Sequence, residues 1–135
     1  MKINVLAGKI EKHATNAVVI PIFENERPGK VAERVDKKFG GMISRLIKKG
    51  EFKPKTGAVH LLYPDGRLPA ERLLLVGLGK RREFTSNRLR QAAGKAAPAL
   101  RSAGAQRITI VTDGIGLDSA ELGQALAEGL SLIHI

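Results

Sequence analysis

Residues 71–84 read ERLLLVGLGKRREF, and this stretch decides the fold class. A charged pair, Glu71-Arg72, leads into the apolar run Leu73 to Val76. A short run with no polar alternation is the pattern of a strand covered on both faces. Gly77 and Gly79 follow, then the basic triplet Lys80 to Arg82, and a helical pattern starts at Ser86. This is how a buried strand ends at the carboxyl edge of an α/β sheet and passes into a crossover helix. The two glycines are read as the turn between strand and helix.

Working downstream, Ser86 to Ala103 places Leu89, Ala93, Ala96, Leu100 and Ala103 on one helical face, small enough to pack close to a sheet. Pro98 is expected to kink this helix, because it lacks an N–H and crowds the preceding turn. Gly104 is its expected stop. RITIVT, residues 107–112, is a further strand. Strand, helix and strand across residues 72–112 form a βαβ unit, which predicts parallel neighbours and a right-handed crossover. Asp118 and Glu121 then have capping-box spacing, and Leu122, Ala125, Leu126, Gly129 and Leu130 line one face of a last helix.

Upstream, Ile3, Val5 and Ala7 alternate with Lys2, Asn4 and Leu6 in an opening strand. AVVIPIF, residues 17–23, is a second strand, in which Pro21 marks a strand end, a bulge or an edge. Lys30 to Phe39 is a helix with Val31, Val35 and Phe39 on one face, ended by Gly40-Gly41. Met42 to Lys49 is a second short helix that turns Ile43, Leu46 and Ile47 inward. AVHLLY, residues 58–63, is another strand, followed by the turn signal Pro64-Asp65-Gly66. It either forms a hairpin with the strand at 72–78 or lies apart from it.

The 135 residues suffice for one core and not for two. With 43% hydrophobic and 27% charged residues the composition is that of a globular domain. No apolar run approaches the ~20 residues of a membrane helix, and the N-terminus meets charge too soon for a secretory signal. The chain has no cysteine, which excludes disulfides and zinc-thiolate sites. The expected location is cytoplasmic. The net charge of +10 is unevenly placed: residues 37–107 hold 17 Lys and Arg against 4 Asp and Glu, whereas residues 108–135 hold 4 acidic residues and no basic one. A basic middle admits a polyanionic partner. Aromatics at 4% leave little to stack on bases, which disfavours a single-strand nucleic-acid module.

The motifs of catalysis are missing. Gly77-Leu78-Gly79-Lys80 lacks the third glycine of a dinucleotide fingerprint and the spacing and Ser/Thr of a P-loop. His13, His60 and His134 form no close ligand pair, and Asp113 with Asp118 is two carboxylates short of a third ligand. No serine stands in a GxSxG elbow. No catalytic, cofactor-binding or metal-binding residue is assigned. Lys80, Arg81, Arg82, Arg88 and Arg90 gather at one strand-helix junction, where helix N–H groups add to their attraction for anions. They are candidate contacts for an acidic partner surface, for solvent and counterions or, less fittingly, for a phosphate backbone.

Five segments in order resemble the N-terminal domain of the leucyl aminopeptidases. They are the opening strand, NAVVIPIF (16–23), KTG (55–57), LLVGLG with Glu83-Phe84 after it, and the alanine-rich stretch from Arg90 to Leu100. Asn16 stands where that family usually has Asp. The resemblance covers nearly all of residues 1–129. It implies a three-layer α/β/α macro-like domain with a mixed, largely parallel sheet. It further implies a non-catalytic part of a larger cytosolic enzyme that releases N-terminal amino acids from peptides. Two divalent metals (zinc, manganese or magnesium) and the catalytic residues would lie in a C-terminal domain, with a homohexamer as the assembled state. Similar N-terminal domains help to pack and cover that assembly, and some bacterial relatives bind DNA. Macro domains proper bind ADP-ribose, for which no separate motif is present. The implied partners are therefore the catalytic domain, sister subunits and DNA, with no membrane. LSLIHI, residues 130–135, has no helix stop and no polar end. It resembles the translation of a transposon-end sequencing adapter. The expectation is a native domain over 1–129, a natural chain that continues past Gly129, and a non-native tail.

Overall fold

The structure, a computed structural model, describes residues 2–6, 15–27, 29–112, 115–116 and 119–131. Their elements run β1 (Lys2–Leu6), β2 (Thr15–Phe23), α1 (Lys30–Lys38), α2 (Met42–Lys48), β3 (Val59–Leu62), β4 (Ala70–Gly79), a 3-10 turn (Arg81–Glu83), α3 (Ser86–Ser102), β5 (Arg107–Val111) and α4 (Ser119–Ser131). The five strands form one sheet in the order β1-β5-β2-β4-β3. All neighbours are parallel except β3 and β4. This is the mixed, largely parallel sheet expected, with a helical layer on each face.

Alternation along the inner strands builds the two layers of the core, one on each face of the sheet. In β2, Val18, Ile20 and Ile22 face α1 and α2, while Ala17, Val19 and Phe23 face α3 and α4. In β4, Leu73 and Leu75 take the first face, and Leu74, Val76 and Leu78 the second. Leu73, Leu74 and Leu75 are 0% exposed. Each such side chain contributes roughly 2 kcal/mol by leaving water, so the run holds both layers to the sheet at once. Asn16 ties the parallel strands at their start: its Oδ1 accepts from the N–H of Gln106 (3.2 Å) and of Arg107 (2.8 Å), the first residue of β5.

Two expectations are corrected, and two that were open are resolved. The strands of the βαβ unit are parallel but not adjacent, because β2 lies between β4 and β5. The most apolar strand after β4 takes the centre, where both its faces are covered. Gly77 and Gly79 do not form the strand-to-helix turn; they lie inside β4, which runs to Gly79. The turn is the 3-10 segment Arg81–Glu83, after which the Thr85 hydroxyl accepts from Arg88 N–H (3.2 Å) and caps α3. The two strands left open as hairpin or separate pair as antiparallel neighbours, from Val59↔Val76 to Leu62↔Leu73. Pro21 lies in the central strand; its β5 pairing ends at Val19↔Ile110, and the β4 register slips one position beyond it.

Helix limits follow their caps. α1 ends at Phe39, and its Asp36 reaches forward to cap α2: Oδ1 accepts from Ile43 N–H (2.8 Å) and Ser44 N–H (3.3 Å), and Oδ2 from the Ser44 hydroxyl. α3 runs unbroken through Pro98 and closes with Gly104 N–H on the Arg101 carbonyl and Ala105 N–H on the Leu100 carbonyl. α4 packs on α3 so tightly that a Cβ on Gly129 would sit 2.5 Å from the Arg90 carbonyl oxygen. The capping role expected of Asp118 and the end of the LSLIHI tail, residues 132–135, lie outside the described residues.

Candidate functional site

In an open α/β sheet a ligand crevice opens at the carboxyl ends of two neighbouring strands whose following helices go to opposite faces. β2 and β4 are such a pair, since α1 packs on one face and α3 on the other. Their ends, Phe23 and Gly79, are joined by Glu24 N–H on the Gly79 carbonyl (2.9 Å).

The chain itself covers the outer edge of β4, on the side away from β2. Residues 54–58 cross the end of β4, held by Gly79 N–H on the Pro54 carbonyl (2.9 Å), Gly57 N–H on the Gly77 carbonyl (3.0 Å) and Gly77 N–H on the Ala58 carbonyl (2.8 Å). Gly57 and Ala58 thus oppose the single residue Gly77. This is a bulge whose first position requires a left-handed backbone, and Gly57 supplies it at φ +86°. The approach leaves no room for a side chain on β4. A Cβ at Gly77 would lie 2.5 Å from the carbonyl carbon of Pro54 and nearer still to the Lys55 oxygen, and one at Gly79 would collide with the Thr56 hydroxyl. The glycines of GLG serve the protein's own backbone. They do not cradle phosphate.

The basic cluster is divided. The Arg81 guanidinium lies 4.1 Å from the centre of the Phe23 ring, and its Nε donates to Glu26 at 2.8 and 3.0 Å. Phe84 meets Phe23 edge to face at 5.1 Å, so Arg81 is seated in an aromatic corner. Arg90 points to α4 and pairs with Glu128. Hydrogen bonds, first from Gln124 (3.0 Å) and then from Arg90, hold the Glu128 carboxyl below its ordinary value. Lys80, Arg82 and Arg88 are exposed, and among the described residues no carboxylate pairs with them. Of the five candidate residues the structure therefore leaves three open to an anion and ties two into ion pairs.

Beside residues 54–58 lies an open groove of about 440 Å³. The loop Glu24 to Glu26 forms one wall and residues 47–55 the other. Lys48, Lys49, Lys53 and Lys55 line it, and all four are exposed. Ile22, Phe23 and Phe52 line its base and are buried. Sequence reasoning placed Lys48 and Lys49 at a helix end and missed the groove. The signal was the run KKGEFKPK, whose two halves come together only because residues 50–55 fold back toward β2. A second, internal cavity of about 20 Å³ lies between the sheet and α3, wholly apolar, with Ala92, Ala93 and Ala96 among its lining.

The remaining candidates do not converge. His60 sits half-buried on the edge strand β3, its ring 6.1 Å from that of Phe52. His13, His134, Asp113, Gly114 and Asp118 lie outside the described residues. Among the described residues no three His, Asp or Glu side chains gather as a metal site, and no helix is long and apolar enough to cross a membrane. The donors that two bridging divalent cations require do not come together in these residues.

Residues 19–133 match the family described as cytosol aminopeptidase family, N-terminal domain. A probable cytosol aminopeptidase of Geobacter sp. (strain M21) is 50% identical over 102 residues, which are 76% of this chain and 21% of that protein. The chain thus spans about a fifth of that relative's length. Among solved structures, the macrodomain of Mycobacterium tuberculosis DarG superposes with a TM-score of 0.74 at 14% identity, covering 97% of this chain and 91% of that one. A tomato leucine aminopeptidase mutant superposes with a TM-score of 0.74 at 23% identity, covering 98% of this chain and 28% of that one.

Proposed function

The chain belongs to the cytosol aminopeptidase family as its N-terminal domain, and from that premise we propose that it is the non-catalytic part of a larger metallo-aminopeptidase, with a role in assembly or regulation. The observation that carries the reading is the match over residues 19–133 in a chain that spans 21% of a relative's length. At the end of β4 the glycines of GLG pack against residues 54–58 and serve the protein's own backbone. In this reading the two divalent metals are held by a separate C-terminal catalytic domain. That domain and sister subunits of a homohexamer are this domain's partners, and the assembled enzyme works in the cytoplasm. The test is direct. The purified 135-residue chain, given manganese or zinc, is expected to leave leucine-p-nitroanilide intact. Metal-dependent release of p-nitroaniline by this chain overturns the reading.

A second reading, binding of a polyanion such as DNA, RNA or an ADP-ribose-type nucleotide, is favoured by one observation: Lys80, Arg82 and Arg88 are exposed with no described carboxylate beside them. Contacts to phosphate would show as affinity that falls steeply with salt.

A further inference from the structure

We propose that the groove between the Glu24–Glu26 loop and residues 47–55 is a docking site for an extended acidic polypeptide segment. The inference goes beyond the aminopeptidase reading and does not depend on it. Charge complementarity selects the class of occupant. Lys48, Lys49, Lys53 and Lys55 line the groove, and among the described residues none of their side chains has an ion-pair partner. Of the two glutamates facing them, Glu26 is engaged by Arg81. The groove therefore carries a net positive field, with cations spread along one wall.

Two features favour carboxylates on a peptide over the phosphates of a nucleic acid. The rings at the base, Phe23 and Phe52, are buried, so no aromatic face is offered for a base to stack on. Glu24 on the opposite wall repels a continuous phosphate chain, whereas a peptide can turn backbone N–H groups toward it. Ile47, half-buried on the lysine wall, gives an apolar residue of the segment a place to rest. An extended strand advances about 3.3 Å per residue with alternate side chains on opposite sides. Glutamates at every second position would then face the lysine wall together.

The probe is a short fluorescein-labelled peptide of alternating Glu and Leu, titrated with the whole chain and followed by anisotropy at about 50 mM salt, where exposed charges are weakly screened. Saturable binding is expected. Lys48→Gln with Lys53→Gln should weaken it about tenfold, because each exposed contact carries up to about fivefold. Lys49→Gln with Lys55→Gln should act similarly. Lys37→Gln with Lys38→Gln removes the same charge from exposed positions on α1 and should change affinity less than about twofold. All six lysines are exposed, and far-ultraviolet circular dichroism verifies the fold of each variant. The proposal is overturned if the peptide shows no saturable binding. It is also overturned if the groove and α1 variants lose affinity equally, or if a single-stranded oligonucleotide of equal charge displaces the peptide and is itself weakened by the groove substitutions.

Discussion

Replacing Gly77 by alanine tests whether the glycines of β4 exist for the protein's own backbone. Gly77 has an ordinary backbone angle, so the cost comes from contact alone. The added Cβ would stand 2.5 Å from the Pro54 carbonyl carbon and 2.8 Å from its Cα. Carbon atoms rest at about 3.5–4.0 Å, so residues 54–58 must retreat by roughly 1 Å. The retreat pulls on the three hydrogen bonds that hold this segment to Gly77 and Gly79. Overpacking of this kind costs about 1–3 kcal/mol, and a weakened backbone bond roughly 1 kcal/mol, for an expected total of about 3 kcal/mol.

A domain of this size is stable by about 5–15 kcal/mol, so the variant should remain folded and measurable. With a urea slope of about 2 kcal/mol/M, the midpoint should fall by about 1.5 M, and Tm by about 12 °C. Gly66→Ala is the control: its Cβ meets nothing within 4 Å, and only the positive φ of +85° opposes it, at about 1 kcal/mol. The measurement is made with no ligand present. If Gly77→Ala leaves the urea midpoint within the error of wild type, the crossing of residues 54–58 does not demand that glycine, and the structural account of the GLG motif fails.

Two further predictions concern helix contacts. Asp36→Ala removes the acceptor for Ile43 N–H, Ser44 N–H and the Ser44 hydroxyl, and should cost about 2 kcal/mol in urea unfolding, at the upper end for a lost cap; Asp36→Asn should recover part of it. Glu128 is held below the ordinary carboxylate value of 4.5 by Gln124 and Arg90. A carboxyl depressed in the folded state adds stability above its unfolded value, and that stability is lost as pH falls through the folded one. Wild type should therefore lose stability below about pH 4.5 more steeply than Glu128→Gln, and superimposable pH profiles would remove the α3–α4 ion pair from the account.

The fold was legible where local pattern and packing agree. Leu73 to Val76 read as a strand covered on both faces and AVVIPIF as a second strand, and the two pair as parallel neighbours in the sheet. Helix limits at Phe39 and Gly104 were legible because glycine punctuates them. Adjacency was not. Strand β2 enters between β4 and β5 because parallel strands joined through a helix can accept another strand between them, and nothing in residues 72–112 records the visitor. The Asn16 side chain reports the pairing, since it reaches the start of β5 from the start of β2. A single amide does not announce a partner ninety residues away.

The site divided along the same line. The basic triplet was visible as charge, but charge in a sequence does not say where each side chain goes. Arg81 carries the same formal charge as Lys80 and Arg82, yet it alone faces Phe23 and Glu26. An arginine seated on a ring and paired with a carboxylate is part of the crevice wall, and its charge is no longer open to a ligand. The reverse holds for Lys53 and Lys55, which look unremarkable in the loop GEFKPK. They become one side of a charged groove because Gly77 and Gly79 let that loop lie against the end of β4. The glycines that fail as a phosphate loop thus shape the groove. A single packing event, residues 54–58 against β4, occupies the glycines and brings Lys53 and Lys55 into the groove with Lys48 and Lys49.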